Sequence, residues 1–212
     1  MAKACIFDFD GVLVDSEKYH HLGYLIIAKA IGAEFTYEEY GPFKSTGRGQ
    51  IIPYLFKKAG KEMTQEEFDR CSRLRDDTYD TGFQQLSKND IMPGAIEFVE
   101  LCKANGLKVA VCSSSKKSEQ IAKDFGILHL FDAFIDGRSN LPLKPNPDML
   151  TLAADKMGVK PRDCVVFEDS INGILAAKNA GMKCVGFQTY FTDEADKIID
   201  TFVGVDLSIL NF

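Results

Sequence analysis

GVKPRDCVVFEDSINGILAAKNAGMKCVGF, residues 158–187, decides the fold. DCVVFED and MKCVGF are short runs rich in Val and Cys, with too few polar residues for a sheet that is wet on one side. Strands of that kind are buried on both faces, which is the habit of parallel sheets covered by helices. Between them Ser170 is placed to cap a helix carrying Ile171, Ile174 and Leu175, and Gly181 to stop it. The same alternation runs back to about residue 93. Pro93 suits the first turn of a helix carrying Ile96, Val99 and Cys102, and Gly106, Gly126 and Gly158 read as helix stops. LKVAVC (107–112) is a further strand, and KACIFDFD (3–10) supplies the first. Helices alternating with such strands predict an α/β protein with a Rossmann-like parallel sheet.

Residues 16–87 break the pattern, with helical periodicity and no convincing apolar strand, and so predict an inserted, all-helical cap domain. The core domain is then residues 1–15 and 88–212. One cap helix shows Leu22, Leu25, Ile26 and Lys29 at helical spacing. Another opens with a capping box from Thr64 to Glu67 and continues through Phe68, Cys71 and Leu74. Gly41, Pro42, Gly47 and Gly49 mark a looser loop between them.

Composition narrows the function. With 212 residues, 45% hydrophobic and 26% charged, the chain is ordinary globular material. A net charge of -6 and the lack of any basic run speak against nucleic acid as a partner. No apolar run approaches the roughly 18 residues of a membrane span. Asp8 and Asp10 interrupt what would be the apolar stretch of a signal peptide, so a cytoplasmic protein is expected, and a monomer. The six cysteines are scattered without a CxxC pair and read as buried, reduced thiols.

The chemistry gathers at one sheet edge. Period-two geometry sends Asp8 and Asp10 to the same side, with Phe9 opposite. Open α/β sheets bind ligands at the carboxyl ends of their strands. LKVAVC leads into Ser113, Ser114 and Ser115 before a helix, where hydroxyls and free amides suit a phosphate, or where a serine simply caps the helix. Lys144, in LPLKPNPDML, is held extended by Pro145, and Asn146 with Pro147 opens the next helix. DCVVFED brings Glu168 and Asp169 to the same edge. Carboxylates about 4 to 6 Å apart repel by a few kcal/mol per pair at a protein-like dielectric, so a cation must offset them. Oxygen ligands without a His or Cys cluster favour Mg²⁺ shared with a substrate phosphate.

DFDGVLVDSE (8–17), then Ser113, Lys144 and the Glu168/Asp169 pair, in that order, resemble the four motifs of the haloacid dehalogenase (HAD) superfamily. The insertion directly after the first motif, with YHH at 19–21 and KPNPDM later, resembles its β-phosphoglucomutase-like subfamily. The resemblance spans nearly the whole chain. It implies that Asp8 attacks phosphorus to form an aspartyl phosphate while Asp10 serves as general acid and base. Ser113 and Lys144 would bind phosphoryl oxygens. Asp8, the Asp10 carbonyl and Asp169 would hold Mg²⁺, with Glu168 acting through water. His20, Arg48 and Arg75 would be the cap's polar contributors, with Lys117 at the mouth of the core. Arg48, in STGRGQ, is the expected clamp for a distal phosphate.

The substrate is expected to be a small phosphorylated metabolite, a sugar phosphate. Water as acceptor makes a phosphatase, the favoured reading, and a sugar hydroxyl makes a β-phosphoglucomutase. Ile51 and Lys117 stand where the mutase pattern has serine and asparagine, and Arg75 where it has lysine. A receiver-like signalling module would also pair an aspartate with Mg²⁺, a hydroxyl and a lysine, but such modules are shorter and lack the helical insertion.

Overall fold

The computed structural model describes residues 2–188 and 193–212. The chain divides into two compact units, Met1–Asp15 with Asp90–Phe212, and Ser16–Asn89.

The first unit is built on six parallel strands: β1 (Ala4–Phe7), β2 (Lys108–Cys112), β3 (Ala133–Ile135), β4 (Cys164–Glu168), β5 (Lys183–Phe187) and β6 (Lys197–Ile199). Their order is β3-β2-β1-β4-β5-β6, every neighbour parallel. The four strands read from sequence are the inner ones, buried along nearly their whole length. The flanking β3 and β6 have only three residues each, too short to leave a pattern. The chain moves outward from β1 to β3 and then returns to place β4 on the other side of β1. The ligand crevice of such a sheet lies at that reversal, outside the carboxyl ends of β1 and β4.

β1 is shorter than the expected 3–10. It ends at Phe7, although the Asp8 N–H still donates to the Phe167 carbonyl at 2.9 Å. Beyond it the chain makes one tight turn, with the Leu13 and Val14 amides both donating to the Phe9 carbonyl at 3.0 Å. Val14 bridges Asp10 on one side and Ile91 on the other. The Asp15 N–H donates to Asp90 and the Met92 N–H to Leu13, so the chain leaves for the insertion and returns from it along adjacent backbone.

Within this unit α5 (Ala95–Ala104), α6 (Ser118–Asp124), α7 (Asp148–Met157) and α8 (Ile171–Asn179) cover the sheet. Pro93 sits in the turn before α5 rather than in its first turn; Gly94, at φ 79°, is the cap residue. Gly158 ends α7 in the left-handed conformation at φ 68°, where a side chain would be strained. The six cysteines are free and buried, as read from their spacing.

The second unit holds α1 (Glu17–Ile31), α2 (Tyr37–Tyr40), α3 (Arg48–Lys58) and α4 (Gln65–Phe83) around its own apolar core. The Thr64–Glu67 capping box is present: the Thr64 hydroxyl accepts from the Glu67 N–H at 3.2 Å, and the Glu67 carboxylate accepts from the Thr64 N–H at 2.9 Å. Two expectations are corrected. The buried stripe of α1 is Gly23, Tyr24, Ile27, Ala28 and Ile31, two residues out of phase with the expected one, and Leu22 is exposed. The presumed loop at 47–49 opens a full helix, α3, whose signal Gly49 and Pro53 conceal. Ile51, which stands where the mutase pattern has serine, is buried in the unit's core with Ile52, Leu55 and Phe56. Among the described residues no helix is long and apolar enough to cross a membrane.

Candidate active site

Asp8 follows the last residue of β1 and Glu168 is the last residue of β4, with Asp169 next. The pairing Phe7↔Phe167 therefore sets the two acidic segments side by side at the reversal of strand order. One carboxylate oxygen from each of Asp8, Glu168 and Asp169 lies within 4.8 Å of the others, and all three residues are buried.

Lys144 enters this cluster from the loop before α7. The loop is set by a cis Lys144–Pro145 peptide and by the Asn146 side chain, which accepts from the Asp148 N–H at 2.8 Å. The Lys144 ammonium donates to Asp8 Oδ1 at 2.5 Å, to Glu168 Oε2 at 2.6 Å and to the Cys112 carbonyl at 3.0 Å. All three of its protons are placed. Burial and the nearby Glu168 push the Asp8 carboxyl well above its usual range, against the pull of Lys144. Burial would lower the lysine, but Asp8 and Glu168 outweigh it and hold the ammonium firmly charged. Three carboxylates facing one ammonium leave two negative charges uncompensated. That deficit and an all-oxygen donor set fit a hard divalent cation.

Glu168 is fixed from the other side as well. Its Oε1 accepts from the Ser170 hydroxyl at 2.7 Å and from the Ser170 N–H at 3.2 Å, and the Ser170 hydroxyl accepts in turn from the Gly173 N–H at 3.1 Å. Ser170 thus caps α8, as expected, and also orients an acid. A Cβ on Gly173 would fall on the Glu168 carboxyl group. Gly11, at φ +85°, makes similar room: its Cβ would lie 2.6 Å from Asp169 Oδ2.

Asp10 does not join the three-carboxylate group through its side chain. Its Oδ2 accepts from the Ser113 hydroxyl at 3.1 Å, and Ser113 Oγ accepts from the Ser115 N–H at 3.0 Å. The serines do not cap α6, whose cap position is Lys117. Sequence reasoning missed the positioning parts: Gly173, the Cys112 carbonyl, and the second role of Ser170. A glycine in the first turn of a helix straight after an acidic strand end was the available signal.

The remaining predicted residues belong to the other unit, except Lys117. Arg48 is the first residue of α3 and makes a two-pronged contact with Asp76 of α4, both bonds 2.7 Å. Arg75 donates to Asp76 Oδ1 at 3.1 Å and to His20 Nδ1 at 2.6 Å, and its guanidinium lies over the rings of Tyr79 and Tyr24. A guanidinium only donates, so Nδ1 of His20 accepts and the ring N–H is on Nε2. His20, Arg48 and Arg75 therefore form one cluster, organised by Asp76, which the sequence reading passed over.

Comparison with known proteins gives the family. Residues 2–181 match the haloacid dehalogenase-like hydrolase family. A β-phosphoglucomutase of Bacillus subtilis is 31% identical over 186 residues, covering 87% of this chain and 82% of the relative. A phosphorylated carbohydrates phosphatase of Thermotoga maritima is 28% identical over 183 residues, covering 85% of this chain and 82% of the relative. The crystal structure of a Clostridium difficile β-phosphoglucomutase superposes with a TM-score of 0.87 at 26% identity, covering 99% of this chain and 96% of that one. This chain is a member of the haloacid dehalogenase-like hydrolase family.

Proposed function

We propose that the chain hydrolyses the phosphate monoester of a small phosphorylated sugar through an aspartyl phosphate on Asp8. The observation that carries this reading is the buried Asp8 carboxylate, held 2.5 Å from the Lys144 ammonium at the carboxyl end of β1, with Glu168 and Asp169 beside it. A carboxylate so placed can attack phosphorus while the lysine offsets the charge of the transferring group.

In the first half-reaction an Asp8 oxygen bonds to phosphorus as the ester P–O bond breaks, and Asp10 delivers its proton to the departing sugar oxygen. In the second, Asp10 takes a proton from water as that water attacks phosphorus, which releases phosphate and restores the Asp8 carboxylate. The Ser113 hydroxyl, which donates to Asp10 in the free enzyme, would turn to a phosphoryl oxygen once substrate is bound. Ser113 and Lys144 are assigned to the phosphoryl oxygens. Asp8, Asp169 and the Asp10 backbone carbonyl are assigned to a Mg²⁺ ion, with Glu168 at one remove because Lys144 and Ser170 already occupy its oxygens. When bound, Mg²⁺ supplies the positive charge that three carboxylates and a phosphate require. His20, Arg48 and Arg75 are assigned to substrate selection, with Lys117 at the core mouth. We place the enzyme in the cytoplasm as a monomer that binds neither nucleic acid nor membrane.

Mutase chemistry is the second reading, favoured by the likeness to a β-phosphoglucomutase structure. Two observations weigh against it: Ile51 offers only an apolar, 1% exposed side chain, and Arg48 already has a carboxylate partner. The test is a panel of sugar phosphates assayed together for free phosphate and for isomerised product, with a hexose 1,6-bisphosphate as primer. Phosphate release should be the faster outcome; efficient primed isomerisation with little phosphate release would reverse the ranking.

A further inference from the structure

The cap unit gathers an uncommon set of charges. Arg48 spends both terminal nitrogens on Asp76 in a two-pronged pair, the strongest carboxylate geometry a guanidinium has. Arg75 reaches the same carboxylate, stacks against Tyr79 with its guanidinium carbon 4.9 Å from the ring centre, and uses its other terminal nitrogen on His20. Its Nε is buried and makes no hydrogen bond. Arg75 is thus locked by packing, whereas the Arg48–Asp76 pair is open to solvent, with side chains 38% and 43% exposed. The cluster has an inner arginine held by hydrogen bonds and ring contacts and an outer one already facing an anion supplied by the protein.

We propose that Asp76 is a specificity-determining residue of the cap, an internal counter-ion that occupies Arg48 and so favours substrates with one phosphoryl group over bisphosphorylated ones. The proposal rests on the reading that the cap residues select the substrate. A second phosphoryl group seeking Arg48 would have to displace a carboxylate from both of its nitrogens. It would then lie as a dianion beside Asp76, a repulsion that a hydroxyl at the same place does not suffer. With two guanidiniums and one carboxylate the cluster keeps a single net positive charge. That suits hydroxyls or a monoanion better than a phosphate dianion, because specificity is a difference in affinity and a repulsive group creates it as well as an attractive one.

Asp76→Asn keeps the shape and removes the charge. Binding of a hexose 6-phosphate and of a hexose 1,6-bisphosphate is to be measured by calorimetry in an Asp8→Asn background, where turnover does not interfere, with and without Asp76→Asn. The bisphosphate should bind about tenfold more tightly once Asp76 is neutral, with the monophosphate changed by less than about threefold, as expected for removing one like charge from a solvated surface. Adding Arg48→Ala should cancel that gain. A purely structural role for Asp76 would weaken both ligands alike. Equal changes, no change, no binding by either ligand, or a gain that persists without Arg48 would each overturn the proposal. Absence of phosphate release by the wild-type enzyme, with the differential binding intact, would instead count against the hydrolytic reading alone.

Discussion

Replacing Lys144 by Met keeps the length and apolar stem of the side chain and deletes one charge from the most crowded part of the molecule. The ammonium is 3% exposed as a residue and is the shared partner of Asp8 and Glu168. Two carboxylate oxygens 4.8 Å apart repel by about 3.5 kcal/mol at an effective dielectric of about 20. Removing one partner from a buried ion pair costs about 3 to 5 kcal/mol, a large part of the 5 to 15 kcal/mol that holds a typical domain together. In chelator, the variant's urea midpoint should fall by about 1 to 2 M for a slope of about 2.5 kcal/mol per M. Divalent cation should recover part of the loss. The deficit should also depend on pH. Asp8 already has its pKa raised by burial and by Glu168, so its ionisation costs stability as pH climbs through the folded value. Without Lys144 that pKa rises further, so the gap between variant and wild type should widen once pH climbs past the wild-type folded value. A midpoint within 0.2 M (about 0.5 kcal/mol) of wild type in chelator at pH 7 would refute the reasoning.

Three further outcomes follow from the same geometry. Asp10→Asn should slow turnover by about 10²- to 10⁴-fold on an unactivated sugar phosphate and far less on an ester with an acidic leaving group; equal slowing of both would remove the proton-transfer role. Gly173→Ala places a methyl group on the Glu168 carboxyl and should lower stability by about 1 to 3 kcal/mol through overpacking, with weaker Mg²⁺ response, and a thermal melt at the wild-type temperature would contradict it. Asp169→Ala should sharply raise the Mg²⁺ concentration needed for activity, and full activity in excess chelator would exclude the metal reading.

Much of the core was legible because burial writes a plain signature. β2, β4 and β5 are largely apolar runs whose polar neighbours appear near the strand ends, and the carboxyl ends of β2 and β4 lie at the site. The order of Asp8, Ser113, Lys144 and Glu168/Asp169 along the chain carried the family resemblance, since each follows a strand or sits on a stiff loop. What the sequence concealed was short, out of phase or relational. β3 and β6 have three residues each. In α1, Leu22, Leu25 and Ile26 suggested one stripe while the helix buries Tyr24, Ile27 and Ile31, because its apolar residues nearly encircle it. α3 carries Gly49 and Pro53, which argue locally for a loop, and tertiary burial of Ile51, Ile52 and Leu55 overrides them. The role of Gly173 depends on a carboxyl group five residues earlier, and that of Asp76 on an arginine 28 residues away. A glycine just after an acidic strand end hints at the first relation, and no local pattern encodes the second.

The central claim is that Asp8 itself carries the phosphoryl group. Acid-quenching the enzyme during steady-state turnover of a sugar phosphate, reducing it with tritiated borohydride and mapping the label by mass spectrometry tests this directly. The account predicts reductive labelling at Asp8, absent when substrate is omitted and absent in Asp8→Asn; continued phosphate release with no label at Asp8, or with label at another residue, would contradict it.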